Sequence, residues 1–176
     1  MDLMGTIKPK SDQLNADDLI AGPITVTILN VTVKDSEGEQ PVVIDIDGGH
    51  KPYKPCKLMR RVMVRIWGKD GKSFIGKRAR LFYSEGVMFG KDRVGGIRIS
   101  HMSGITEPVT LILTVGRGRR VEYTVQPFAM YPAQEFADKL PAIKKAIAEN
   151  KITAQQAIER CRKVGELTDE MVKAIE

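Results

Sequence analysis

The sequence predicts a mainly β protein: a barrel of short strands, interrupted by one basic helix and followed by a small helical appendage. Three observations point there. Between Pro23 and Phe128 the chain runs through short stretches rich in Val, Ile and Thr whose apolar residues alternate, the pattern of half-buried strands. One stretch of helical period, KLMRRVMVRIWG, breaks that series. From about Pro132 the composition shifts to Ala, Lys, Glu and Ile, as in short surface helices.

With 176 residues the chain can bury one core and carry an appendage. Its apolar fraction of 42% and charged fraction of 28% exclude wholesale disorder. No apolar run approaches the ~20 residues of a membrane-spanning helix. The opening MDLMGTIKPKSDQLNADD is polar and acidic, unlike a secretory or transit peptide. Two distant cysteines, Cys56 and Cys161, read as reduced thiols of a cytoplasm. The two cysteines and two histidines lack zinc-ligand spacing, so neither a metal nor a cofactor is predicted.

Residues 1–19 read as a flexible arm without apolar period. PITVTILNVTVK is the first strand. Ile24, Val26 and Ile28 share one face, then Leu29, Val31 and Val33 continue in the opposite phase, which predicts a bulge or bend. After the acidic turn DSEGEQ, PVVIDI closes a hairpin. DGGHKPYKPC, with two glycines and two prolines, is a turn-rich connection or a short edge strand. In the helix, Leu58, Met59, Val62, Met63, Ile66 and Trp67 form the apolar face, Arg60, Arg61 and Arg65 lie toward another, and Gly68 is the stop.

GKRARLFY and DRVGGIRIS are the next strands. Ala79, Leu81 and Tyr83 turn inward, while Arg78, Arg80 and Phe82 share the other face. Gly95 and Gly96 permit a tight bend or close approach of another backbone. VTLILTV and VEYTVQPF form a last hairpin, with Val109, Leu111, Leu113, Val115, Val121, Tyr123 and Val125 inward. Two or three short helices end the chain, with Thr153 and Thr168 as N-caps, Gly165 as a C-cap, and Pro141 kinking or dividing the first. The domains are thus an arm at 1–19, a β domain at 20–131 and helices at 132–176.

Two strands, a short third, a helix and two strands give the order β-β-β-α-β-β. With a bent first strand, that is the order of the OB-fold, a barrel that binds single strands with a basic groove and aromatic platforms. Charge supports this. From Lys51 to Arg80 there are eleven Lys or Arg and one acid, Asp70, hence +10, whereas residues 133–176 hold eight acids and eight bases. Such a one-sided cluster repels itself unless a polyanion relieves it.

The predicted contacts to nucleic acid follow from position. Lys51, Tyr53 and Lys54 lie in the loop before the helix, and Arg60 and Arg61 on it. Arg78, Arg80 and Phe82 share a strand face, with Arg98 on the next strand. Phe89 and Lys91 lie between those strands, and Arg117, Arg119 and Arg120 in the GRGRR turn. Phe82, on the basic face, is a stacking platform or a packing contact with the C-terminal helices. Trp67, Phe74, Tyr83 and Tyr123 are assigned to packing, and His101 to a structural hydrogen bond.

Asp18–Ile105 resembles a group of small phage and prophage proteins of OB-fold type associated with replication and recombination. The resemblance is carried by DLIAGPITVTI, KPYKPCKLMRRVMVRIWG, FIGKRARLFY and VGGIRISHMSGI, about half of the chain. It implies single-stranded DNA binding in a bacterial host cell, alongside phage or host recombination and replication proteins. The chain ends DEMVKAIE, without the acidic tip of bacterial single-strand-binding proteins.

An enzyme is not predicted. Asp45, Asp47 and His50 in DIDGGH have the composition of a magnesium nuclease site, and equally of a strand ending in a glycine turn. GRGRRVEY lies between strands, not before a helix, so it is no dinucleotide fingerprint. No P-loop or nucleophile elbow is present. The rival to DNA binding is a protein-interaction module, an inhibitor or adaptor whose basic face captures an acidic partner. The helices and a sheet edge also offer surfaces for a homo-oligomer.

Overall fold

The computed structural model describes residues 11–34, 40–89, 91–116 and 118–176, and the phase slip of the first strand is there as a β-bulge. β1 (Ile24–Val33) pairs antiparallel with β2 (Val42–Ile46), and the register shifts between Ile28 and Asn30. Val26 and Ile28 are buried, Leu29 is exposed at the shift, and Val31 turns back to the core. Val33 does not follow it inward and is 70% exposed. The first half of β1, Ile24 to Thr27, pairs instead with β3 (Arg78–Ser84). One bulged strand therefore serves two neighbours in succession.

β3 continues through a small ribbon, β4 (Met88–Phe89) and β5 (Asp92–Arg93), into β6 (Gly96–Met102). Gly95 has φ +69°, and a Cβ there would lie 2.5 Å from the Tyr83 ring. The close approach is by a ring rather than by another backbone. A hairpin of β7 (Val109–Gly116) and β8 (Arg119–Pro127) follows, and β8 pairs parallel with β6 at His101 and Met102. Among the described residues the strands other than β4 and β5 form a mixed six-stranded sheet in the order β2-β1-β3-β6-β8-β7. On β7 the inward row ends early, since Val115 is 44% exposed.

Helix α1 (Lys57–Trp67) stands between β2 and β3 in sequence and ends at Gly68, φ +96°. Its Met59, Val62, Met63 and Trp67 join Val26, Ile44, Leu81 and Ile99 in the core. Residues 11–19 are not a free arm. Leu14 and Leu19 are buried in that core, and Leu14 N donates to Pro52 O (2.9 Å). Two leucines in a polar stretch give no period to read, yet each removes an apolar side chain from water. Residues 1–10 of the predicted arm lie outside the described residues.

The chain divides into two compact units, Met1–Pro127 and Phe128–Glu176. The second begins at Phe128 rather than Pro132, because backbone bonds tie Ala129 and Tyr131 to Glu166. It contains α2 (Ala133–Ala148), α3 (Ala154–Arg162) and α4 (Asp169–Ile175), which bury Phe136, Ile158, Cys161, Leu167 and Ile175. Thr153 and Thr168 cap α3 and α4 through their hydroxyls. Pro141 lies inside α2 without dividing it. Gly165 is no left-handed C-cap: α3 ends at Arg162, and the φ of Gly165 lies outside the positive range. Among the described residues no helix is long and apolar enough to cross a membrane.

Candidate nucleic-acid interface

Strand alternation builds the first part of the site. Ala79 and Leu81 are buried, so Arg78, Arg80 and Phe82 turn to the other face of β3. Their neighbours are fixed by register: Thr27 opposite Arg78, Thr25 and His101 on either side of Arg80, and Arg98 opposite Phe82. Arg80 Nε donates to Thr25 Oγ1 (3.2 Å). A bulge in β6, where the register shifts between Arg80 and Leu81, allows both Ile99 and Met102 to be buried. His101 Nδ1 lies 3.0 Å from Ser100 Oγ, a local contact of the structural kind expected. Burial, and then the charge of Arg80, hold the His101 pKa below the ordinary imidazole value. Arg98 is drawn toward the start of α1, its Nη1 3.1 Å from Cys56 Sγ. On this face the partly exposed Phe82 follows Arg78 and Arg80 along β3 and lies opposite Arg98 of β6 in the register.

A second cationic surface, apart from that face, is a groove of about 490 Å³ between α1 and β7 with Lys57, Arg60, Arg61 and Arg65 along it. Arg61 donates to the carbonyl of Thr114 on β7. Arg60 and Arg61 are among the contacts expected from the sequence, and Lys57 and Arg65 join them only here. The signal was there: Lys57, Arg61 and Arg65 recur every four residues and so form one stripe on a helix.

Two of the predicted contacts are corrected. Tyr53 is 3% exposed, because its N–H and C=O both bond to Ile44 and its ring sits in the core. It cannot stack on a base. Lys54 forms an ion pair with Asp12 at 2.8 Å, and its side chain is only 16% exposed. Its charge is answered within the protein, and it correspondingly holds the Asp12 carboxyl below the usual range. Lys51, Lys91, Arg119 and Arg120 are exposed on separate loops and strand ends. Arg117 and the side chain of Phe89 lie outside the described residues.

The acids of DIDGGH serve the sheet. Asp47 Oδ1 accepts from Thr27 N (2.7 Å), and Asp45 Oδ2 accepts from Asn30 Nδ2 (3.3 Å). Among the described residues no group of three or more His, Cys, Asp or Glu side chains is placed to hold a metal ion. Trp67 and Phe74 pack together in the core, as expected.

One buried and one half-buried tyrosine, Tyr53 and Tyr123, give a pH prediction. Among the described residues the Tyr53 hydroxyl has no hydrogen-bond partner, and burial pushes its pKa far up. Tyr123 donates to Ile99 O (2.6 Å), and burial pushes its pKa up to about 12. A raised folded-state pKa contributes stability that is complete below the unfolded value near ~10 and is lost as pH rises through the folded value. Thermal melts should therefore fall progressively above about pH 10. Tyr53→Phe should raise stability by about 1 kcal/mol at neutral pH, since it removes an unbonded buried hydroxyl, and should flatten that alkaline decline. A destabilised Tyr53→Phe variant would show that the hydroxyl is bonded after all.

Compared with known proteins, the chain matches no family model, no curated protein and no solved structure at a significant level.

Proposed function

We propose that this protein binds single-stranded DNA, with little sequence preference, on the face of β3 and β6 turned away from the core. The observation that carries this reading is the alternation and register that put Phe82 on one strand face with Arg78 and Arg80 and opposite Arg98. A ring on a strand face that also carries arginines suits a stacked base with phosphate contacts beside it, the stacking worth ~1–3 kcal/mol per base and largely blind to its identity. The +10 segment supplies the long-range attraction. The bulged first strand and the helix between β2 and β3 favour an OB-fold-like barrel. Closure would run through the Tyr53 segment, which is bridged to Ile44, toward β6. The implied setting is that of a phage replication or recombination accessory protein in the cytoplasm of a bacterial host.

The test is fluorescence anisotropy of labelled oligo-dT and a matched duplex across a salt series. Wild-type protein should prefer the single strand. Each phosphate contact removed in the Arg78→Ala, Arg80→Ala double variant should lower the log–log salt slope by about 0.7. Phe82→Leu should weaken binding roughly tenfold with the slope unchanged. If neither DNA form binds near physiological salt, or the duplex binds as tightly, the reading is wrong and the basic face serves a protein partner.

A further inference from the structure

The groove between α1 and β7 differs in chemistry from the β3–β6 face. Its cations are Lys57, Arg60, Arg61 and Arg65, and its remaining lining is Val64, Ile112, Leu113 and the Thr114 segment, with no acid and no aromatic ring. A base needs a π-face to stack on, and aliphatic side chains offer none. Val64 and Ile112 are nevertheless 40% and 66% exposed, so water lies against apolar surface beside a row of positive charge.

Position adds a second observation. β7 is an end strand of the sheet. Side chains of consecutive strand residues point to opposite faces, yet Ile112, Leu113 and Thr114 all line the groove. The groove wall is therefore the edge of the strand, not one of its faces. VTLILTVG carries no charge and no proline, so the neighbour that meets this edge is α1 with its row of cations. Arg61 reaches across from α1 to the carbonyl of Thr114 on that edge.

We infer that the α1–β7 groove is a docking site for an extended acidic segment of another protein. The segment lies extended along the groove, with aliphatic side chains on Val64 and Ile112 and carboxylates toward Lys57, Arg61 and Arg65. Carboxylate–cation pairs and the covered apolar surface supply affinity, and the alternation of acidic with aliphatic residues supplies specificity. On docking, Arg61 exchanges the Thr114 carbonyl for a carboxylate, a charge-assisted bond of greater strength. This site is separate from the DNA face and stands without it.

The probe is a fluorescein-labelled peptide of alternating Asp and Leu, about eight residues long to match β7, beside a control in which Ser replaces every Leu. At physiological salt the full-length protein should bind the Asp–Leu peptide and not the Asp–Ser control. Ile112→Ser and Val64→Ser, both at exposed, uncharged positions, should each weaken the peptide at least tenfold while leaving oligo-dT affinity unchanged; far-UV circular dichroism checks that both fold. Three outcomes would overturn the proposal. One is equal binding of the two peptides, which reduces the groove to a charge effect. Another is displacement of the peptide by oligo-dT together with lost DNA affinity in Ile112→Ser, which gives the groove to nucleic acid. The third is a dimer of the protein that Ile112→Ser dissociates, which gives the edge to a second copy of this chain.

Discussion

Replacing Trp67 with alanine should lower the stability of the β unit by about 3–5 kcal/mol, the largest effect expected of a single side chain there. The indole is 5% exposed and packs against Phe74 at 5.4 Å between ring centroids. Lys77 Nζ lies 5.6 Å from the centre of the ring, adding a cation–π contact. The polar end of the ring matters as much. Nε1 donates to Ser103 O at 2.7 Å. Ser103 in turn holds the start of β3: its N donates to Arg78 O, and its Oγ accepts from Arg78 N, both at 2.9 Å. Trp67 therefore fixes the residue that fixes Arg78.

Two variants separate these contributions. Trp67→Phe keeps most of the burial and leaves the Ser103 carbonyl unbonded, at a cost of about 1–2 kcal/mol. Both variants should weaken oligo-dT binding, because Arg78 is less firmly placed. Urea unfolding followed by far-UV circular dichroism is the measurement, since the chain has a single tryptophan and both variants lose it. A cost below ~1 kcal/mol for Trp67→Ala would mean that the indole does not occupy the core as described. Equal costs for the two variants would place the energy in the hydrogen bond rather than in the ring.

Gly165→Ala should be the most damaging small change in the helical unit, at about 3–4 kcal/mol. The reason is contact, not conformational freedom, since the backbone of Gly165 is not left-handed. A Cβ at this position would lie 2.5 Å from Tyr131 N, 2.7 Å from Tyr131 Cα and 2.8 Å from Met130 C. Those are backbone atoms and cannot swing aside. The two segments must part, breaking Tyr131 N to Glu166 O and Glu166 N to Ala129 O, each 2.8 Å long. Tyr131 would also move against Phe136, whose ring it meets edge-on at 5.9 Å. Hydrogen exchange should show lost protection at Tyr131, Glu166 and in α2 to α4, with β3 and β6 unchanged. Wild-type protection at Tyr131 and Glu166 would mean that this close pairing does not form.

The strands, the basic helix and several boundaries could be read from the residues because each rests on local periodicity. Val26 and Ile28, then Val31, show a bulge by their change of phase alone. Thr153 and Thr168 show caps because a hydroxyl in that place has one obvious donor to satisfy. Arg78, Arg80 and Phe82 fall on one face by strict alternation, and the structure keeps them there beside Arg98. Tyr53 failed because its loop, with a proline on either side, has no period to show which way the ring points. Lys54 failed because its partner, Asp12, is distant in sequence and lies in a stretch that reads as a free arm.

The sequence by itself determined the longer strands and the α-helices, and where positive charge accumulates. Both are properties of neighbouring residues and survive any packing. The tertiary structure decided which charges are answered internally, which aromatic rings are buried, and that a stripe of cations on α1 faces the uncharged edge of β7. It also gave Gly165 its role, which arises only when two segments approach within van der Waals distance. Those outcomes depend on contacts between residues far apart in the chain, and no local pattern encodes them.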